Sequence, residues 1–491
     1  MSKLYVFGIG GTGSRVIKSL VMLLASGVKL ESKFSQVIPI LIDPDTGNGD
    51  LNRTKEILAL YQQIRNQIEE PDDFFGQQLG TINEIATNSK VISPNFFQFK
   101  LNEVDDSKFG EYIGYDSLSG NFNEFMDDKS FVKLFYSENN LNSGLEIGFK
   151  GNPNMGSIVL NQFTESQDFS NFLTTFQQGD EIFIINSIFG GTGAAGFPLL
   201  LKVLRSSESI IIRDCKIGGL TLLPYFSLDD RGEINSETFA EKAKAALDYY
   251  NRTIIKENEI DFLYFLGNKS SINIEDYSAG GVEQKNKAHF LEMAGALAIL
   301  DFGLASSNGR TANTIVKEFG IEKDSEEIDF SALNVNNLNQ IERPLIKFKL
   351  FTNYLNLGLN KAMNVSRWTL SNIKMVDNSQ QSLTDQNYFS SPNYKTQIEP
   401  FKVYFDEWLE EMKQNKPSFS PFNDIELSNA MKFVKDRKPK GKVNFTKIDQ
   451  ENSKNVADPK FRSDKKAHTA LIKLFGSATT KVVSSSGLVN N

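Results

Sequence analysis

LYVFGIGGTGSRVIKSLVMLL, residues 4–24, passes from strand to helix through a cluster of glycines. Leu4 to Phe7 is a short apolar run, and from Ser14 to Leu24 apolar residues return at helical spacing. A second apolar run, Val37 to Ile42, follows, so the segment reads strand, loop, helix, strand, the unit that joins two parallel strands. Glycines at such a turn have no Cβ to hold an anion away from backbone N–H groups, and the helix N-terminus adds a favourable dipole. Taken alone, Gly8, Gly10 and Gly13 also fit a dinucleotide fingerprint, with Asp43 at the end of the second strand as the ribose ligand.

The pattern returns at DEIFIINSIFGGTGAAGFPLLLKVLR, residues 180–205, where Gly190, Gly191, Thr192 and Gly193 lie between an apolar strand and a helix. Two such turns on one sheet edge suit a nucleoside triphosphate, whose several phosphates need donors from more than one side. A nicotinamide enzyme does not need the second. Strand KIGGLTLLP (216–224), a helix over 236–250, strand DFLYFLG (261–267) and a central helix over 286–305 continue the alternation. The expected fold class is therefore α/β, a Rossmann-type parallel sheet with helices on both faces. Residues 1–285 form this domain, with an irregular, Phe-rich insertion at about 70–147 containing short strands such as FFQFKL (96–101). A polar linker, a helix over 344–363, an acidic aromatic helix (401–412) and a lysine-rich stretch (432–466) make a smaller α+β or helical C-terminal domain over 306–475, and 476–491 reads as a mobile tail.

The 491 residues exceed one hydrophobic core, and 40% hydrophobic with 23% charged residues is a folding composition. A formal net charge of −8 argues against a broad nucleic-acid surface. Cys215, the single cysteine, excludes an intramolecular disulfide and reads as a buried strand residue. We find no signal-peptide pattern and no apolar run of membrane-spanning length, and expect a cytoplasmic protein without direct membrane insertion. Of the two histidines, His289 reads as packed and His468 as solvated.

GIGGTGS (8–14), GNPNMG (151–156) and FGGTGAAGFP (189–198) resemble, in order and spacing, the nucleotide loops of the tubulin/FtsZ superfamily, and are most similar to its bacterial tubulin-like members. The resemblance covers about the first three hundred residues and implies GTP or GDP with Mg²⁺ as ligands. It implies that Gly10, Gly11, Thr12 and Gly13 line the α- and β-phosphates and that Gly190, Gly191, Thr192 and Gly193 close from the other side. Asp43 or Asp45 would sit near the phosphates, with Asp45 near the metal. Gly148, Asn152, Pro153 and Gly156 match the loop that senses the γ-phosphate, and Asn268 and Asn286 stand where the family reads the purine. It further implies head-to-tail self-assembly into filaments with slow GTP hydrolysis, and an unidentified protein partner.

The chain departs from that family at several places. Phe189 replaces the first glycine of the triple-glycine signature, and Asn154 stands where the family has an acid. The acidic loop that completes hydrolysis in the next subunit has as its nearest counterpart EIDFSA (327–332), which makes Asp329 the catalytic candidate, with Ala332 at the place of the second acid. Two other readings stay open. LIDPDTGNGDLNR (41–53), with Asn52 and Arg53, also resembles the start of ThiF-like adenylyltransferases, which use ATP. A scaffold that retains nucleotide without turnover is the third.

Overall fold

The computed structural model describes every residue except 1, 70–72, 102–106, 119–127, 146–148, 150, 229–238, 269–271, 275–280, 306–308, 322–325, 364, 370–385, 426–429, 441–443, 458–466, 488 and 490–491. Its centre is a seven-stranded, wholly parallel sheet built from β1 (Ser2–Ile9), β2 (Phe34–Ile42), β3 (Gln78–Leu79), β4 (Glu181–Ser187), β5 (Ile217–Leu222), β6 (Phe262–Asn268) and β7 (Ile315–Ile321), in the spatial order β3-β2-β1-β4-β5-β6-β7. β4 is buried along its whole length. Helices cover both of its faces, which is why its strands are apolar runs and not alternating ones.

On one face lie α1 (Gly10–Ala25), α2 (Gly49–Asn66) and the central helix α7 (Phe290–Leu304). Gly295 lets α7 come close: a Cβ there would stand 2.6 Å from Leu220 and 3.2 Å from Val16. On the other face lie α3 (Pro153–Leu160), α4 (Gln167–Thr175) and α5 (Gly191–Arg205), with Phe172 of α4 edge-on to Tyr5 and Phe7 of β1 at 5.3 Å between ring centroids. Helix α6 (Phe239–Tyr250) connects β5 to β6. The C-terminal unit is mainly helical: α8 (Val335–Leu357), α9 (Glu399–Gln414), α10 (Phe445–Ala457) and α11 (Ala467–Ser486), with one two-residue pairing of Glu327–Ile328 to Ser418–Phe419.

Several boundaries differ from the sequence reading. β7 lies inside the expected C-terminal domain yet pairs with β6 over Phe262–Asn268, so the sheet extends past 306. β3 comes from the expected insertion, while FFQFKL yields a 3₁₀ turn at Pro94–Phe97 and a single bridge between Leu41 and Gln98. The central helix starts at Phe290 and not at 286, because His289 and Glu292 form a capping box there. The expected tail is the second half of α11, whose Val482 and Val483 are buried. His468 is likewise buried, not solvated, bonded through Nδ1 to the Tyr388 hydroxyl at 3.3 Å. Among the described residues, no helix is long and apolar enough to cross a membrane.

Candidate functional site

β1 and β4 are neighbours, but the chain leaves β1 toward β2 on one side and β4 toward β5 on the other. Their carboxyl ends therefore flank the reversal of strand order where ligands of open parallel sheets bind. Both glycine loops open here and touch: a Cβ on Gly10 would stand 3.5 Å from Thr192 Cβ and 3.6 Å from Gly193 N. Gly10 has φ +74°, a left-handed conformation that L side chains rarely adopt. The GNPNMG turn joins from the other side, since a Cβ on Gly191 would lie 3.1 Å from Asn152 N and 3.2 Å from Gly151 N.

The helices that start from these three turns share a property. α1, α3 and α5 begin at Ile9, Asn152 and Gly190 without a side-chain capping bond, with Pro153 in the first turn of α3. α2, α4 and α7 are capped by Asn48, Ser166 and His289. First-turn N–H groups without a cap need an acceptor from outside the helix, and three such termini meet at one sheet edge. Lys242 adds a cation, donating to the Gly151 carbonyl at 2.9 Å.

Asp43 and Asp45, at the end of β2, are both buried. Asp43 Oδ1 accepts from Asp45 N at 3.1 Å, and Asp45 Oδ2 accepts from Gly281 N at 2.6 Å. Burial, with the neighbouring Asp45 carboxylate, pushes the Asp43 carboxyl up to about 8. A divalent cation beside the pair would relieve that penalty. Among the described residues no cluster of three or more acidic, histidine or cysteine ligands exists, so a magnesium ion here would draw its other ligands from water and phosphate, as it commonly does.

Compared with protein families, with curated proteins and with solved structures, the chain matches none. The site must therefore be read from its own residues. Gly10, Gly11, Thr12, Gly190, Gly191, Thr192, Asn152 and Pro153 belong to the three converging turns. Gly13 and Gly193 serve packing: a Cβ on Gly13 would lie 2.6 Å from Gly8 C, and one on Gly193 would lie 2.8 Å from Ser187 O. Gly148 lies outside the described residues. Asn268 ends β6, half-buried. Asn286 is turned to α2, with its N and Nδ2 both donating to Asp50 Oδ2 at 3.2 Å and its carbonyl accepting from Arg53. Asp329 caps the turn Phe330–Ala332, its Oδ1 accepting from Ser331 N at 2.6 Å and from Ser331 Oγ at 2.5 Å.

Sequence reasoning missed the buried ionic cluster beneath Gly11 and Thr12. Arg15 donates to Glu292 at 2.5 Å, Asp50 at 3.1 Å, Tyr225 at 3.0 Å and Thr12 at 3.3 Å. Tyr225 in turn donates to Glu292 at 2.9 Å. Burial alone would raise the Glu292 carboxyl, but Arg15 and Lys18 hold it below the usual glutamate range. Arg53 pairs with Asp50 and Glu411, and Lys18 with Glu411, which ties α9 to α1 and α2. The available signal was Arg15 and Lys18 interrupting an otherwise apolar helix. Two grooves, of about 330 Å³ beside Asp406 and Phe422 and about 380 Å³ beside Pro198 and Tyr249, share no lining residue with Gly10–Gly13 or Gly190–Gly193.

Proposed function

We propose that this chain is a GTP-binding protein of the tubulin/FtsZ type, holding GTP with Mg²⁺ over the β1 and β4 edge and assembling head-to-tail into filaments. The observation that carries the reading is the convergence of the uncapped starts of α1, α3 and α5 at the reversal of strand order. Three donor-rich turns match the several anionic groups of a triphosphate better than the single pyrophosphate of a dinucleotide. Asp43 and Asp45 would stand on the metal side. The turn at Asn152 would order on the γ-phosphate and present a surface to the next subunit, a heterologous contact that repeats without closing. Asp329 would enter the neighbouring subunit's site if hydrolysis occurs. The adenylyltransferase reading loses support because Arg53, part of the stretch that resembles that family, is engaged by Asp50 and Glu411.

The test is to denature the purified protein, identify any retained nucleotide by anion-exchange chromatography, and titrate the native protein with GTP and ATP with and without magnesium. Magnesium-dependent GTP selectivity, followed by GTP-dependent pelleting, is the expected result. ATP selectivity with pyrophosphate release would replace this reading with adenylyl transfer, and a retained nucleotide that never turns over or drives pelleting would leave a scaffold.

A further inference from the structure

The residue that meets the ligand from the central-helix side is not Asn286, whose amide is spent on Asp50. Two positions earlier, Gln284 is 5% exposed; its segment is pinned to α2 by a backbone bond from Gly49 N to Gly281 O at 3.0 Å and turned on itself by one from Gln284 N to Gly281 O at 3.1 Å. The orientation of its carboxamide follows from its neighbours. Asn48 Oδ1 accepts from Leu51 N at 3.0 Å as the cap of α2, so Asn48 Nδ2 is the end left to donate, and it donates to Gln284 Oε1. The acceptor of Gln284 is thereby occupied, and its amide nitrogen is the end that faces Gly11.

A Cβ on Gly11 would stand 3.4 Å from Gln284 Nε2, 3.6 Å from Asn48 Nδ2 and 3.7 Å from Arg15 Nη1. The three nearest side-chain atoms around this half-buried glycine are all nitrogens that carry protons. Among the described residues Gln284 Nε2 has no acceptor, although its side chain is more than nine-tenths buried. That nitrogen is the end of the side chain left open toward the glycine loop, so the partner it would take there is an acceptor lying at the uncapped start of α1. We propose that Gln284 is a phosphate-binding residue, donating from Nε2 to a phosphate oxygen of the ligand held at Gly11. This rests on the reading of the loops as a phosphate site, but not on the identity of the base.

Gln284→Glu separates the two roles of this side chain. Its Oε1 still accepts from Asn48, so a merely structural bond survives, whereas the end facing Gly11 changes from a donor to a carboxylate oxygen. Gln284→Ala loses both. Affinities of wild type and both variants for GTP, ATP and inorganic tripolyphosphate are measured calorimetrically, with thermal melting in the absence of ligand as a check of folding. For whichever ligand wild type binds, we expect the Glu variant to melt as wild type and to bind at least as weakly as the Ala variant, with a loss of roughly 10-fold or more. A Glu variant that binds like wild type while the Ala variant is weakened would overturn the assignment and leave Gln284 as a brace for Asn48, and equal binding by all three would overturn it as well. ATP binding weakened by Gln284→Glu would sustain this inference while refuting the GTP reading, and a wild type that binds none of the three would refute both.

Discussion

Asp43 carries a titration that reports on its surroundings. With its folded carboxyl pushed up to about 8 by burial and by Asp45, the folded chain binds a proton that the unfolded chain, titrating near the ordinary 3.8, has already released. Stability from this group is therefore present below the ordinary carboxylate range and is lost as pH rises from about 4 toward 8. Asp43→Asn keeps an oxygen to accept from Asp45 N and removes the charge. We expect it to stabilise the ligand-free protein at pH 8 by roughly 2–5 kcal/mol, to have little effect near pH 4, and to weaken any magnesium-dependent share of nucleotide binding. Urea unfolding across that range checks the sign; a destabilised variant at pH 8 would refute the account. Asp43 was legible in the sequence because it ends an apolar strand. Gln284 was not, since its role comes from the orientation that Asn48 imposes across 236 residues of chain.

At the scale of elements, the three turns act as one because their backbones nearly touch. Gly191 has no room for a side chain: its Cβ would stand 2.8 Å from Phe149 Cβ and close to two backbone nitrogens of the GNPNMG turn. Gly191→Val must push that turn away from α5. We expect it to abolish triphosphate binding while costing about 1–3 kcal/mol of stability, the range for overpacking, as read by calorimetry and by urea melts. Binding within threefold of wild type would count against the shared site. The strand-to-helix turns were readable because glycine clusters after apolar runs have one local explanation. β3 and β7 were not: a two-residue strand carries no periodicity, and IVKEFGI reads as a polar linker until its pairing with β6 is seen.

The whole molecule is joined through charge as well as apolar packing. Glu411 of α9 accepts from Lys18 of α1 and Arg53 of α2, and Trp408 Nε1 donates to Ser19 Oγ at 3.1 Å, so the C-terminal helices are fastened to the helix that starts at the glycine loop. Removing one partner from a buried ion pair costs more than the pair contributes, because the other charge is left without compensation. The two units should therefore unfold together. Residues 476–491 test this, since they hold the second half of α11, with Ala478, Val482 and Val483 buried in the C-terminal core. Deleting them exposes their partners at a cost of roughly 3–6 kcal/mol from the two valines alone. If α9 transmits that loss, calorimetry will show a single transition shifted to lower temperature, and a nucleotide that binds at α1, as proposed, will raise it in wild type and truncated protein alike. If the C-terminal helices melt separately while the sheet keeps its wild-type transition, Glu411 is a surface brace and not the link between α1 and the C-terminal unit.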